Sequence, residues 1–538
     1  MVWVFPALYS QLPQGGRPFP FSSLKSAVKP IVLSGFNMQK AIDESLSEEA
    51  VSGKKPFRFA WNYTLDLSPS NSGTWTEMPD GTRVWRIQLS SPGAYAVNVD
   101  FSKYQLKPGS MVFIYPSSQS FFLGGFNHKN NNGSQSLPTS FVSGDELVVE
   151  LQTGPGITDY GELKIGSLSH AYIDVFNTSD RYFGLSGDCN VDVNCPEGDD
   201  WQIVKKAVCR IIFKTGTSTE LCTGTLVNNV RQDSIPYLLT ANHCIRFAGQ
   251  AQSAVFYFGH EVDTCGKEFI SSSYSLAGSE LLATSDSIDF SLLRLSETPP
   301  EEHKPYYAGW SVSKIPASNV VCIHHPQGDV KKISIDNGPV TAEYQNPIPL
   351  DLHWLYDESL PQAFWRVIKW ETGTTEGGSS GSPLFNQNQL IVGNLTGGQA
   401  KCSNSVNDYF SKFHMAWDYY SINSKQLKHW LDPESTGITN LVGFNPFGQN
   451  TILYASRFSL FPNPASSQVT FETDSLDISG GVLAIYSLTG KKMASYNINE
   501  SKRLSFNVSS FNQGMYIIEF RKGEIYERKR LVVINPLK

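Results

Sequence analysis

All eight cysteines of the chain (Cys189, Cys195, Cys209, Cys222, Cys244, Cys265, Cys322 and Cys402) fall between positions 189 and 402, and the flanking segments contain none. An even set confined to one stretch reads as a disulfide framework built in an oxidising compartment. The metal alternative is weak, because no pair has C-x-x-C spacing and no His-Glu-x-x-His occurs. The cysteines therefore mark residues 184–446 as one secreted, disulfide-tied domain, between a leader at 1–183 and an appended module at 447–538. By themselves they leave roughly a hundred pairings open.

A chain of 538 residues is long enough for several domains. Its 40% hydrophobic and 12% aromatic content supplies sizeable cores, and its many Gly, Pro, Thr and Tyr residues favour β-structure. A net charge of −7 argues against nucleic acid as a partner, and no apolar run reaches membrane-spanning length. The first ten residues, Met1–Ser10, are apolar but short and lack basic residues, which reads as the stump of a signal peptide. Within the leader a helical period covers Met38–Ala50. Strand-like runs follow at Arg83–Leu89, Ala94–Phe101, Met111–Tyr115 and Glu146–Leu151, separated by turn signals such as Pro79-Asp80-Gly81. No catalytic constellation appears there. The expectation is a β-rich propeptide, a partner of its own protease domain that assists folding and covers the active site, or else a plain accessory domain.

The chemistry centres on Glu376-Gly377-Gly378-Ser379-Ser380-Gly381-Ser382-Pro383. A serine between glycines on a tight turn suits acyl transfer, since the backbone can approach a substrate and adopt conformations a side chain forbids. The N–H groups of Gly378 and Ser380 are then candidates for an oxyanion hole. Upstream, the apolar run Pro236–Thr240 leads into Ala241-Asn242-His243-Cys244, placing His243 just beyond a strand. Asp289 stands at the mouth of the apolar strand Phe290–Leu295; Asp286 is a rival without such a strand. An acid there orients an imidazole and stabilises its protonated form. The order His243, Asp289, Ser380 is that of the chymotrypsin group. Short β-runs at Ala207–Phe213, Thr223–Val227, Ala254–Phe258, Val320–His324, Phe364–Trp370 and Gln389–Leu395 predict a sandwich or barrel. The adjacent His324 and His325 point to opposite faces of a strand and read as structural rather than metal-binding. No cofactor and no metal are expected; the substrates would be proteins and peptides.

Residues 184–446 resemble the bacterial lysyl endopeptidases of the Achromobacter protease I type. The matching stretches include Gly184-Leu185-Ser186-Gly187-Asp188-Cys189-Asn190, Cys195-Pro196-Glu197-Gly198-Asp199, Cys222-Thr223-Gly224-Thr225-Leu226-Val227-Asn228-Asn229, Ile323-His324-His325-Pro326 and Trp430-Leu431-Asp432-Pro433-Glu434-Ser435-Thr436-Gly437. The resemblance implies a trypsin-like double β-barrel and the pairs Cys189–Cys402, Cys195–Cys265 and Cys222–Cys244. Cys209 and Cys322 have no counterpart in the family, and form either a fourth bridge or two buried thiols. It also implies that specificity for lysine rests on Asp408, because the place six residues before the nucleophile is Thr374. The sequence departs from the family at Thr396, which stands where those enzymes have a histidine stacked on an indole. Ser379 replaces the Asp that pairs with a new amino terminus in vertebrate-type zymogens. The mature start implied is Gly184, yet Arg181-Tyr182-Phe183 before it offers no lysine for self-cleavage.

Beyond Gly443–Gly448 the chain changes character. Runs at Val482–Ser487, Leu504–Val508, Met515–Phe520 and Lys529–Ile534 alternate as a small antiparallel sandwich does. Pro462-Asn463-Pro464-Ala465, Tyr486-Ser487-Leu488-Thr489-Gly490-Lys491 and Asn512-Gln513-Gly514-Met515-Tyr516 resemble the C-terminal sorting domain of type IX secretion substrates in Bacteroidota. That implies the type IX machinery as a partner and a secreted or surface-attached product. The expected whole is mainly β: leader, trypsin-like serine endopeptidase cutting after lysine, and sorting domain. Two other readings stand beside it, a protease of broader specificity and an adhesin on an inactive protease scaffold.

Overall fold

Every second residue of Phe57–Leu67 (β1) is large and apolar, the alternation that a sheet facing a core requires. The computed structural model describes the chain except residues 1–8, 11–12, 22–28, 34, 45–55, 177–184, 267–272, 344–359, 361, 448–458, 473–477, 488–490, 501, 523–524 and 535–538. In the leader, β1 joins Ala96–Leu106 (β3) through Gly161–Ala171 (β6) in one antiparallel sheet. Arg83–Ser90 (β2), Ser110–Tyr115 (β4) and Glu146–Thr153 (β5) form a second, with β5 central. The two sheets share one core that includes Trp85, Ile87, Val99, Phe101 and Ile165. β1 and β6 lie outside the strands expected from the sequence. The alternation of the first is nonetheless present in its sequence, while a bulge between Ile165 and Ser167 breaks that of the second. The expected helix Met38–Ala50 is helical over 38–44, and its remainder lies outside the described residues, as do 1–8 of the expected signal stump and the implied cleavage point before Gly184.

Two antiparallel β-modules follow. The first contains Val208–Thr215 (β7), Ser218–Leu226 (β8), Tyr237–Thr240 (β9), Val255–Phe258 (β10), Tyr274–Ala277 (β11), Ser279–Ser285 (β12) and Phe290–Leu295 (β13), in the order β11-β10-β7-β8-β9-β13-β12. The second contains Val320–His324 (β14), Lys332–Asp336 (β15), Phe364–Lys369 (β16), Pro383–Asn386 (β17), Ile391–Gly398 (β18) and Val406–Lys412 (β19), in the order β15-β14-β17-β18-β19-β16. This is a two-module, mainly β layout, as the resemblance implies. Leader strand β1 pairs with β8, so the leader sheet runs on into the first module.

The chain divides into compact units at Met1–Asn450 and Thr451–Lys538. In the second unit, Gln468–Glu472 (β20) and Arg503–Asn507 (β23) pair, and Val482–Ser487 (β21), Lys492–Asn497 (β22), Gly514–Lys522 (β24) and Ile525–Val533 (β25) form a four-stranded sheet. Val469, Phe471, Ile485, Phe506 and Ile518 close a shared core, making a small sandwich.

Cys189–Cys402, Cys195–Cys265 and Cys222–Cys244 are bonded. The fourth bridge is corrected: Cys209 and Cys322 are buried thiols outside any disulfide. The reason is positional, since Cys209 on β7 packs in the large core that the two modules share and Cys322 on β14 in a separate core within the second. Cys322 Sγ lies 3.1 Å from Ser382 Oγ, and burial pushes the Cys209 thiol pKa up, which makes it unreactive. Alkylation without reductant should therefore add nothing to the folded chain and two labels after unfolding, read by intact mass. Unfolded chain that takes no label would reinstate the fourth bridge.

Candidate active site

The turn leading into β17 is held by close backbone approach. Gly378 and Gly381 have φ of 90° and 79°, in the left-handed region that favours glycine. A Cβ on Gly381 would stand 2.2 Å from Thr240 Oγ1 and 2.4 Å from Thr223 O; one on Gly378 would stand 2.5 Å from Leu221 Cδ1. With those side chains missing, the turn lies directly on the first module. Thr223 N–H donates to Ser380 O at 2.8 Å, and Thr223 Oγ1 donates to Gly378 O at 3.0 Å. From the other side, Gly381 N–H donates to Leu395 O on β18, and Leu395 N–H donates to Ser382 O, both at 2.8 Å.

His243 and Asp289 meet because their strands pair. Thr240 is opposite Ser291 in the β9–β13 register, so the residues just past one strand and just before the other share an edge. The Cys222–Cys244 bond ties the residue after His243 back to β8. His243 Nδ1 lies 2.8 Å from Asp289 Oδ2, and His243 backbone N–H donates to Oδ1 at 2.9 Å. Across the ring, Nε2 lies 2.8 Å from Ser380 Oγ. A carboxylate at Nδ1 accepts its proton, which leaves Nε2 as the acceptor for the serine hydroxyl. All three side chains are buried. Asp286, the rival acid, is exposed and accepts the N–H of Ser287.

Asp289 itself is strained and heavily braced. Its φ is 59°, and its carbonyl accepts Asn394 Nδ2 at 3.0 Å. Burial would push its carboxyl pKa up, but the His243 side chain and backbone N–H outweigh this and hold it below the usual carboxylate value. The Thr396 hydroxyl adds to the lowering, although it stands at a geometry outside an ordinary hydrogen bond. The backbone N–H groups of Gly378 and Ser380, the expected oxyanion donors, make no hydrogen bond to the described residues.

Asp408 is wholly buried on β19, opposite Gly398 of β18. Trp370 Nε1 and Thr375 Oγ1 donate to its Oδ2 at 2.7 and 2.6 Å. Thr374 is buried and turns its carbonyl to Ser334 Oγ, so it contributes backbone rather than charge. Of the paired histidines, the His324 ring contacts Ser379 and Ser334 while the His325 ring contacts the Asp329 carbonyl, on opposite sides of the strand. Four supporting residues escape a reading by motif: Thr223, Asn394, Trp370 and Thr375. Asn394 carries the only such signal, as a polar residue inside the apolar stretch Ile391–Leu395.

Residues 183–411 match the lysyl endopeptidase C-terminal domain family, and residues 459–534 match the secretion system C-terminal sorting domain family. This part of the chain is a serine endopeptidase domain with lysyl endopeptidase-like sequence. A lysyl endopeptidase of Pseudomonas aeruginosa is 27% identical over 363 residues, covering 63% of this chain and 74% of that protein. Among solved structures, a thermostable serine protease AL20 from an extremophilic microorganism is 15% identical and covers 39% of this chain and 91% of its own, with a TM-score of 0.28. A Glu endopeptidase is 18% identical and covers 43% and 94%, with a TM-score of 0.26. The sorting domain marks the endopeptidase for export, either released or attached at the cell surface. No helix among the described residues is long and apolar enough to cross a membrane.

The Asp289 shift has a definite sign. A carboxyl held below its unfolded value contributes stability that is full above about pH 4 and is lost as pH falls through the folded pKa. In a Ser380→Ala background, which prevents self-digestion, adding Asp289→Asn should therefore lower unfolding free energy at neutral pH. The difference should shrink steadily below about pH 4. A difference that stayed constant into acid would contradict the assignment.

Proposed function

We propose that the chain hydrolyses peptide bonds on the carboxyl side of lysine through an acyl-enzyme, with Ser380 as nucleophile, His243 as general base and Asp289 as its orienting acid. The observation carrying this reading is the continuous hydrogen-bonded line from Asp289 Oδ2 through the His243 ring to Ser380 Oγ, two contacts of 2.8 Å each. His243 takes the serine proton during attack and returns it to the leaving amine. The N–H groups of Gly378 and Ser380 receive the developing oxyanion, each contributing about 3 kcal/mol. Gly377 O accepts from Gln327 N–H. In a trans peptide that turns the Gly378 N–H the opposite way, off the protein and toward a substrate.

Lysine recognition is assigned to Asp408. A buried carboxylate favours a buried cation, and an ammonium entering a dry pocket needs such a partner. β18 supports the distance. Leu395 grips the nucleophile turn, and Gly398, three residues on, faces Asp408; the strand rise puts roughly 10 Å between them. Thr396, expected among the substrate-binding positions from its place in the family pattern, adjoins Asp289 and helps to hold its carboxyl pKa down. Residues 1–183 serve as propeptide, 184–446 as the protease and 447–538 as the sorting segment read by the type IX machinery.

Peptides ending in Lys, Arg or Glu before the reporter test both halves. Ser380→Ala should lower kcat roughly a millionfold. Asp408→Asn should lower kcat/KM for the Lys peptide about 100- to 1,000-fold while hardly affecting the others. Equal cleavage of all three by the parent would remove the lysine assignment and leave an endopeptidase of broader specificity. Absence of turnover after removal of the leader would favour the adhesin.

A further inference from the structure

Ser379 and His324 have no part in the proton transfers described above, yet both are wholly buried and bonded to each other. Ser379 precedes the nucleophile, where a vertebrate-type zymogen carries an acid. Its Oγ accepts the Glu376 N–H at 3.1 Å and meets His324 Nδ1 at 2.7 Å. The far side of the imidazole meets Ser334 Oγ at 3.1 Å, and Ser334 Oγ donates to Thr374 O at 2.7 Å. These partners dictate the protons. Ser334 spends its hydrogen on Thr374, so it must accept from His324 Nε2–H; in the neutral ring Nδ1 is then the acceptor and the Ser379 hydroxyl the donor. The result is a satisfied chain, Glu376 N–H to Ser379 to His324 to Ser334 to Thr374 O, whose partners all lie between residues 324 and 379.

We infer that His324 is a positioning residue that fixes the oxyanion loop: by holding Ser379 it sets the Ser379–Ser380 peptide and hence the Ser380 N–H. A neutral hydrogen-bond chain thus takes the structural place that an ion pair to a new amino terminus fills elsewhere. The neighbouring His325 secures the same loop from the opposite face. Its backbone N–H donates to Thr223 Oγ1 at 3.1 Å, and that hydroxyl orients Gly378 O. This inference rests on the triad and oxyanion assignments above.

The test uses the processed enzyme and a peptide amide that the parent cleaves, comparing His324→Leu, His324→Asn, Ser379→Ala and the Leu/Ala double variant. An oxyanion donor is felt mainly in the transition state, so His324→Leu and Ser379→Ala should each lower kcat about 10- to 100-fold with KM within about twofold. The double variant should fall no further than the worse single, because both break one chain. His324→Asn, whose Oδ1 can stand in for Nδ1, should recover most of the loss. Melting temperature is measured for every variant, and where His324→Leu does not fold, the smaller Ser379→Ala change decides. An unchanged kcat in a folded variant, a loss confined to KM, or multiplicative losses in the double would overturn the inference. Turnover that survives Ser380→Ala would instead bring down the triad reading, so the two failures are distinguishable.

Discussion

The site depends on one close approach, the backbone of residues 378–381 lying against the first β-module with no side chain between. Thr223 reaches that backbone twice, through its N–H to Ser380 O and through its hydroxyl to Gly378 O. Contact at this distance joins the two modules, which also share one large core, into one site. His243 and Asp289 belong to the first module and Ser380 to the second, so any slackness between modules would open the 2.8 Å contact from Nε2 to Oγ. A methyl group at Gly381, 2.2 Å from Thr240 Oγ1, would wedge the modules apart where catalysis tolerates no displacement.

The same logic explains what was legible in the sequence. The nucleophile turn, the histidine after β9 and the acid before β13 each carry a local signature, and their order along the chain implies that they meet. β9 and β13 were visible as apolar runs, and their pairing places His243 beside Asp289. Three disulfide pairs followed from the resemblance, and β21, β23, β24 and the end of β25 in the sorting segment from alternation, whereas β20 and the edge strand β22 did not. Long-range support was not legible. Asn394 bracing the Asp289 carbonyl spans 105 positions, and Trp370 and Thr375 reach Asp408 from another part of the chain. Apart from the place of Asn394 in an apolar stretch, nothing local distinguishes such residues from surface polars. Cys209 and Cys322 mislead for a related reason: both sit in apolar strands, but in different cores, and sequence reports burial without location.

Leader and protease share more than a covalent link. Between β1 and β8 the backbone ladder is reinforced by Asn62, whose Nδ2 donates to Ser218 O at 2.7 Å while its Oδ1 accepts from Ser169 and Thr219. Lys214 Nζ lies 3.1 Å from Asp100 Oδ2 across the same boundary. Burial pushes Asp100 up and Lys214 down, each toward its neutral form, and their mutual attraction opposes both shifts. Such a pair adds little net stability but is costly to break on one side. It therefore selects one register for the strands rather than strengthening every possible contact. The mixed core containing Phe59, Phe141, Ile212 and Tyr257 supplies the non-directional part of the attachment.

β18 finally bears on the departure from the family pattern at Thr396. Three residues of that strand serve three parts of the site: Leu395 bonds the nucleophile turn, Thr396 stands beside Asp289, and Gly398 faces Asp408. Because β18 is paired on both sides, with β17 and β19, the spacing between Ser380, Asp289 and Asp408, the proposed nucleophile, orienting acid and specificity acid, is set by backbone, not by side chains. A change of side chain at Thr396 then alters the surroundings of Asp289 without moving Ser380 or Asp408. The strand's hydrogen bonds keep the geometry, and residue 396 is left to tune the electrostatics of the acid it adjoins.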